Sequence, residues 1–579
     1  MRYSTLNELQ TTREMVDAFG GYNHNLRIGE GEFYDMENLS SARYPVLSPR
    51  GGRKTYAEPS NAQGLIAKDS LCYVDGTNFV MNEYRVDMGL STDAEDCPKT
   101  LVSMGAYVII LPDKKYINTL DLTDYGNIEA SYTSSGDVTF ELCNISGEEY
   151  ANTTVSSGEP EKQNMALWID TSSSPHTLKQ YSESSAMWVS IPTTYVKIRA
   201  TGIGANFEQY DGVTISGIKS EALKDLNASM IVWDKDNDYI VVTGILDEVT
   251  TQTAAQGAVK VERKMPNMDY VTEAGNRLWG CRYGVAANGT VVNEIYACKL
   301  GDFKNWNSFM GLSTDSWVAS VGTDGQFTGA VTHLGYPVFF KETCLHKVYI
   351  SSAGAHQIQD TTCRGVQKGC HRSLAIVNEI LFYKARKAVC AYDGSLPVEI
   401  SAALGEVQYE DAAAGGHGNL YYISMKDADA YHLFCYDTAK NMWHREDNTR
   451  ADAFCSCRGE LYYIDHKDGH IKQVSGGEGR VHWMAETGLI GITMPDQKYV
   501  SRLLLRASME LGATVSVHGQ YDSSGVWEHL CSLTGTSLRS FLVPVRPKRC
   551  DHMRLRLEGE GEIKLFSITK TIEQGSDIS

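Results

Sequence analysis

Three stretches between residues 378 and 477 share one pattern: Asn378-Glu-Ile-Leu-Phe-Tyr383, Gly418-Asn-Leu-Tyr-Tyr-Ile423 and Gly459-Glu-Leu-Tyr-Tyr-Ile464. Each is rich in aromatic and β-branched residues and is followed by a polar turn and a second apolar run, which is typical of a β-hairpin. Their first apolar residues, Ile380, Leu420 and Leu461, lie 40 and 41 residues apart. That period is typical of one four-stranded blade of a β-propeller.

Weaker copies of the pattern extend the repeat towards the N-terminus. They start near Leu71, Tyr107, Leu278 and Pro337, so that the chain offers seven candidate blades. A single hairpin buries little apolar surface, whereas hairpins stacked side by side cover one another. We therefore predict an all-β fold based on a β-propeller of six to eight blades, with seven favoured.

Changes in this rhythm divide the 579 residues into five parts. Residues 1–60 are rich in Gly, Pro and Asn and are predicted to be an extended segment, which either wraps a partner or supplies a closing strand. Residues 61–125 hold the first blades and residues 263–495 the remaining ones. Between them, residues 126–262 alternate at a different spacing, which predicts an inserted β-rich domain. Residues 496–579 alternate cleanly and are predicted to form a C-terminal β-sandwich.

Charge and cysteine usage limit the classes of function. The formal charge of −19 disfavours a surface that grips nucleic-acid phosphates, because such binding needs clustered Lys and Arg. The 14 cysteines are scattered and include no C-x-x-C pair, which favours reduced, buried thiols and assembly in the cytoplasm. No apolar run approaches the ~18 residues of a membrane span, so we expect a soluble product or one delivered without a signal peptide.

A search for catalytic motifs is negative. The chain has no G-x-x-x-x-G-K-[ST], H-E-x-x-H or G-x-S-x-G motif. Asp234-Lys-Asp-Asn-Asp238 begins like a calcium loop but lacks the later Gly and Glu, so a charged hairpin turn is favoured. Cys363, Cys370 and His371 are spaced too widely for a zinc knuckle. We therefore predict no catalytic, cofactor-binding or metal-binding residues, no cofactor and no enzymatic activity.

Further motifs connect the chain with a known family. These are Asn38-Leu39 followed by Tyr44-Pro-Val-Leu-Ser-Pro-Arg50, and Asn276-Arg-Leu-Trp279 with Gly301-Asp-Phe-Lys-Asn-Trp306. With these motifs and its β-only layout, the chain resembles tailed-bacteriophage virion proteins of the tail-nozzle and packaged-DNA-stabilisation type. The inserted domain at 126–262 is not explained by this resemblance.

The resemblance implies a structural virion protein in the channel that retains and releases packaged DNA. It implies a homo-oligomeric ring, as a hexamer, with portal, adaptor and other tail proteins as partners and with tail fibres or spikes as further ones. Genomic double-stranded DNA would pass through the lumen without specific binding, and an acidic lumen would keep it from sticking. The implied location is the phage tail, after assembly in the host cytoplasm.

Two other classes of function stay open. The first is a carbohydrate-binding or glycan-cleaving propeller used for host recognition, for which aromatic and carboxylate residues clustered at one propeller mouth would be the expected sign. The second is a cellular propeller that serves only as an interaction scaffold.

Overall fold

The computed structural model describes residues 10–93, 98–150, 152–286, 289–350, 355–495 and 497–575, and these residues are almost entirely β-structure. The helices described within them are short 3-10 turns: Ser41–Arg43, Glu221–Leu226, Ala254–Gln256, His371–Ser373 and Ala402–Leu404. In that part of the chain, no helix is long and apolar enough to cross a membrane.

The N-terminal segment is extended and contributes strands to three different sheets and one isolated pair. Its strands are β1 (Thr11–Val16), β2 (Gly21–Tyr22), β3 (Glu32–Glu37), β4 (Leu39–Ser40), β5 (Ser48–Pro49) and β6 (Gly52–Ala57). The first nine residues of the predicted 1–60 segment lie outside the described residues.

Two four-stranded antiparallel sheets follow. Blade 1 contains β7 (Ala62–Ala67), β8 (Leu71–Asp75), β9 (Asn78–Met81) and β10 (Tyr84–Asp87). Blade 2 contains β11 (Thr100–Met104), β12 (Tyr107–Leu111), β13 (Lys115–Asn118) and β14 (Tyr125–Asn127). Leu71 and Tyr107, from which the repeat was read, begin the second strand of each sheet.

The chain then leaves the blade pattern for three sheets with another topology. Their strands are β15 (Ala130–Thr133), β16 (Val138–Cys143), β17 (Thr153–Ser156), β18 (Leu167–Asp170), β19 (Thr177–Ser182), β20 (Met187–Ser190), β21 (Tyr195–Arg199), β22 (Gly212–Ser216), β23 (Ser229–Ile231), β24 (Asp234–Asp236), β25 (Tyr239–Thr243), β26 (Thr250–Gln252) and β27 (Lys260–Arg263). Two of these sheets enclose an apolar core of their own, which includes Phe140, Ile198, Phe207 and Val261.

Four further four-strand units continue the propeller. Blade 3 has β28 (Tyr270–Glu273), β29 (Leu278–Val285), β30 (Val291–Ala297) and β31 (Trp317–Ser320), and blade 4 has β32 (Phe327–His333), β33 (Tyr336–Lys341), β34 (Cys344–Ile350) and β35 (His356–Thr362). Blade 5 has β36 (Ala375–Val377), β37 (Ile380–Ala385), β38 (Ala388–Tyr392) and β39 (Val398–Glu399), and blade 6 has β40 (Glu410–His417), β41 (Leu420–Lys426), β42 (Tyr431–Asp437) and β43 (Met442–Asp447).

A fifth further unit, blade 7, is completed by the N-terminal segment. Blade 7 contains β44 (Ala451–Cys457), β45 (Glu460–Asp465) and β46 (Ile471–Gly477), and its outermost strand is β6. Thr55 pairs with Lys472, so the segment supplies a closing strand, which was one of the two alternatives open from the sequence.

The first strands of the blades contact one another around a ring. β7 contacts β11 and β44, β28 contacts β11 and β32, and β40 contacts β36 and β44, while the turn His371–Ser373 lies between β32 and β40. The predicted all-β propeller is thus confirmed. The domain boundaries given above stay predictions.

The C-terminal strands form two facing sheets. They are β47 (His482–Thr487), β48 (Lys498–Met509), β49 (Thr514–Tyr521), β50 (Glu528–Leu533), β51 (Arg539–Val543), β52 (Met553–Glu560) and β53 (Ile563–Gln574). One sheet has the order β1-β53-β48-β51, and the other continues from blade 6 through β43-β2-β3-β47-β52-β49-β50. The N-terminal strands therefore join propeller and sandwich into one hydrogen-bonded unit.

Candidate functional site

The first strands of the blades start on one face of the propeller, which we call the upper face. Asp411 is the second residue of β40 in blade 6, and Asp452 is the second residue of β44 in blade 7. The pairing with the next strand shifts at both positions, which marks a β-bulge at each. Bulges re-aim side chains and are common beside functional sites. The two carboxylates are therefore placed at the same level of neighbouring blades.

The backbone of Asp411 supports this interpretation. Its φ is 45°, in the left-handed region that non-glycine residues enter uncommonly. Such a conformation costs free energy and persists only where the surroundings hold it. At Asp411 it occurs together with a bulge and a cluster of charged side chains, which points to a role beyond packing.

Arg372 brings a third blade into the cluster. Its Nη1 donates to the main-chain carbonyl of Asp452 at 2.8 Å, and its Nη2 lies 3.6 Å from Asp411 Oδ1. Arg372 belongs to the 3-10 turn that precedes blade 5. This turn packs over β32 at Gly329. A Cβ at this residue would stand 2.9 Å from Leu374 Cδ1 and 3.7 Å from His371 Cβ, so glycine allows the close contact.

Arg450 lies between the two carboxylates. Its Nη2 is 3.9 Å from Asp411 Oδ2, and its Nε is 3.4 Å from Asp452 Oδ1. The guanidinium also stacks over the ring of Tyr431, 4.8 Å from the centroid. His466, just after β45, completes the group with Nδ1 2.9 Å from Asp452 Oδ2. We call Arg372, Asp411, Tyr431, Arg450, Asp452 and His466 the mouth cluster.

Tyr431 fixes the orientation of Asp411. The phenol donates to Asp411 Oδ2 at 2.5 Å. Burial, and then this hydrogen bond, raises the pKa of Tyr431 to about 12. The phenol therefore stays protonated and keeps donating through the neutral range of pH.

The mouth cluster can be reached from solvent. The side chain of Asp411 is 40% exposed and that of His466 50%, while Arg372 and Asp452 are about a quarter exposed. Carboxylates and guanidinium groups held in fixed positions beside an aromatic ring can bind neutral molecules rich in hydroxyl groups. The carboxylates accept hydrogen bonds from hydroxyls, the arginines donate them, and the ring offers an apolar face.

The motifs examined in the sequence lie elsewhere. Asp234 and Asp236 are in β24 and the chain turns directly into β25, as expected for a hairpin turn. Cys363, Cys370 and His371 do not form a metal site, and within the described ranges no three His, Cys, Asp or Glu side chains converge on one. Trp306, at the end of the Gly301–Trp306 motif, is buried and donates from Nε1 to the carbonyl of Phe303 at 2.8 Å, which is a structural role.

Sequence reasoning missed the mouth cluster, although the repeat contains one signal for it. Asp411 and Asp452 lie 41 residues apart, and each is nine residues before the first apolar residue of its repeat. The same offset in blades 3 and 5 gives Asp269 and His371. Polar residues that recur at a fixed offset from the repeat predict neighbours at the mouth of the propeller. Arg372 and Tyr431 were not found from the repeat.

No family model matches this chain, and no curated protein matches it significantly. Its fold is similar to that of parts of solved structures. An acylaminoacyl peptidase of Pyrococcus horikoshii is 9% identical over 54% of this chain and 55% of the peptidase, with a TM-score of 0.24. This chain thus spans about half the length of that peptidase.

Two glycoside hydrolases are also similar. An engineered GH43 enzyme with endo-xylanase and exo-arabinofuranosidase activity is 8% identical over 52% of this chain and 97% of its own, with a TM-score of 0.20. An exo-β-1,3-galactanase of Phanerochaete chrysosporium is 7% identical over 76% of this chain and 100% of its own, with a TM-score of 0.17. At these identities the likeness concerns the fold alone.

The prediction that this protein is not an enzyme is contradicted by these comparisons, because the similar structures are those of enzymes. The prediction relied on the absence of local motifs. In a propeller, functional side chains come from several blades, and their distances are set by the fold and not by a short spacing in the sequence.

Proposed function

We propose that this protein binds carbohydrate at the upper mouth of its propeller, either to hold a glycan or to cleave one. The observation that carries the proposal is the mouth cluster itself. Three blades bring two carboxylates, two arginines, a histidine and a tyrosine together, with Tyr431 donating to Asp411 and stacking on Arg450.

The charges of the cluster favour a neutral ligand. Asp411 and Asp452 are balanced by Arg372 and Arg450, so the mouth offers hydrogen-bonding groups without a large excess of either sign. The chain as a whole carries a formal charge of −19, which repels polyanions. Sugars meet these requirements because they combine hydroxyl groups with apolar faces that can stack on an aromatic ring.

An array of neutral and acidic oligosaccharides, probed with the full chain, tests the proposal. We expect neutral glycans to bind, and Asp411→Asn and Tyr431→Phe each to weaken binding by about tenfold or more, equivalent to about 1.4 kcal/mol. Matched controls are Asp225→Asn and Tyr84→Phe, at exposed sites away from the mouth. Measurement of new reducing ends after incubation distinguishes cleavage from binding alone.

Two results would refute the proposal. One is the absence of binding to every oligosaccharide on the array. The other is binding that Asp411→Asn and Tyr431→Phe leave unchanged, because the ligand would then bind elsewhere.

The assignment to a phage tail stays a prediction, together with the hexameric ring, the portal and adaptor partners and the passage of DNA. It is compatible with a glycan-binding mouth, since a tail protein can recognise a host through a surface glycan. Cryo-electron microscopy of particles that contain this protein would test the assignment.

A further inference from the structure

A second cleft opens on the upper face, between blades 2 and 3. Its volume is about 330 Å³, and its lining includes Thr100 and Tyr270, the first residues of β11 and β28. Because the first strands of all blades start on the same face, this cleft and the mouth cluster open in the same direction. We call it the side cleft.

The side cleft has apolar walls and a polar rim. Three prolines, Leu111 and Met268 supply most of the walls. At the rim, Arg282 donates from Nη1 to Asp269 Oδ1 at 2.9 Å, and the other oxygen of Asp269 accepts from the backbone N–H of Tyr283 at 2.8 Å. The Arg282 side chain is 40% exposed. The cleft volume is at the lower end of the ~300–1,000 Å³ of small-molecule sites, so the cleft has room for a short ligand segment.

The side cleft and the mouth cluster are connected by a ring contact. Tyr270, at the wall of the cleft, lies 5.1 Å from the ring of His371. His371 is followed by Arg372, which reaches both Asp411 and Asp452. The Nδ1 atom of His371 is shielded from solvent and has no hydrogen-bond partner among the described residues. A path of polar and aromatic groups therefore leads from the side cleft to the mouth cluster.

The repeat register gives independent support. Asp269 lies nine residues before Leu278, and Asp452 lies nine residues before Leu461. Leu278 pairs with Glu273 and Leu461 pairs with Ser456, so the two aspartates hold equivalent positions in blades 3 and 7. Structurally equivalent blade positions lie around one ring. The side cleft thus presents its carboxylate at the blade position that also supplies the mouth cluster.

We propose that the carbohydrate is a neutral chain of several sugar residues, with one part at the mouth cluster and another in the side cleft. This inference rests on the proposed function. The side cleft is as balanced in charge as the mouth, since Arg282 pairs with Asp269 and Lys114 pairs with Glu129 at 2.7 Å. A neutral chain therefore suits both sites, and an acidic polymer suits neither.

Titration calorimetry with paired short and long ligands tests the inference. The ligands are maltose and maltohexaose, cellobiose and cellohexaose, and mannobiose and mannohexaose. For the series that binds, we expect the hexasaccharide to bind at least tenfold more tightly than the disaccharide. Arg282→Ala should reduce this ratio at least fivefold, and Arg546→Ala, at an exposed arginine in the C-terminal region, should not change it.

A second variant tests the side cleft independently of Arg282, in case Arg282→Ala does not fold. Asn267→Trp fills the side cleft from an exposed position on its lining and should reduce the same ratio, while thermal unfolding checks that the protein stays folded. Equal affinity for the two lengths, or a ratio that both variants leave unchanged, would overturn this inference and leave the proposed function standing. If none of these ligands and no oligosaccharide on the array binds, both fail together.

Discussion

The attachment of the closing strand can be tested through one buried arginine. Arg53 on β6 donates from Nη2 to Glu446 Oε2 at 2.6 Å, and its Nη1 lies 2.9 Å from Asp447 Oδ2. The Arg53 side chain is 11% exposed and that of Glu446 6%, so water screens this pair weakly. Because both acidic residues belong to β43, the pair joins the outer strand of blade 7 to blade 6.

The structure indicates the cost of breaking this attachment. Glu446 also lies 3.3 Å from Arg50, so its removal leaves two arginines with Asp447 as their remaining acidic partner. Removing one member of a buried ion pair costs about 3–5 kcal/mol. The cost applies here because a single carboxylate, Asp447, cannot fully compensate two buried arginines. We therefore expect Glu446→Gln to lower the free energy of local opening at β6 by this amount.

Hydrogen–deuterium exchange measures this opening directly. A loss of about 3–5 kcal/mol increases exchange of the β6 amides by about two to four powers of ten, up to the limit set by global unfolding. Lys54→Ala, at the neighbouring exposed position, is the control and should leave exchange nearly unchanged. If the amides of residues 52–57 stay fully protected in Glu446→Gln, the ion pair does not hold the strand and the reasoning is wrong.

Three other properties can be predicted from single residues. Burial lowers the pKa of His444 to about 4 from an ordinary value near 6.5, so the unfolded chain binds more protons between these values. This residue should contribute a fall in stability of about 2 kcal/mol from pH 7 to pH 5, and His444→Gln should reduce the pH dependence of unfolding by that amount. Gly365→Ala should destabilise the protein by about 1–3 kcal/mol in thermal unfolding, because the new Cβ would overlap the carbonyl oxygen of Lys341, whereas Gly322→Ala has free space and should be neutral. Burial raises the pKa of Cys363 to about 11, so a thiol reagent at pH 7 should label this half-buried cysteine slowly in the native protein and at the ordinary rate after unfolding.

The repeat was sufficient to predict the propeller, but it did not show which strand completes the last blade. Ile380, Leu420 and Leu461 start or nearly start the second strand of their blades, so a period of about 40 residues was sufficient to identify the propeller. The role of Gly52–Ala57 could not be decided in the same way. Its partner strand, Ile471–Gly477, lies about 400 residues away, and its own residues show no clear alternation of buried and exposed positions.

The candidate site was predictable only in part, for a related reason. Asp411 and Asp452 lie 41 residues apart, which is one period of the repeat, so the sequence indicated that they lie in neighbouring blades. Arg372 reaches them from a 3-10 turn whose position depends on the missing side chain of Gly329, and Tyr431 reaches Asp411 from another strand. Such contacts depend on packing between blades and leave no pattern in a single sequence.

The sequence position nine residues before the first apolar residue of the phrase explains how one scaffold can carry a specific binding surface. There the chain places Asp269, His371, Asp411 and Asp452 in four different blades, while the apolar residues of the phrase remain similar. A substitution at this position alters the upper face, whereas one at Leu461, which is fully buried, alters the packing between blades. Binding and stability thus depend on separate positions of one repeat. Substitutions of the polar residues before the phrase should alter ligand binding with little effect on the free energy of unfolding.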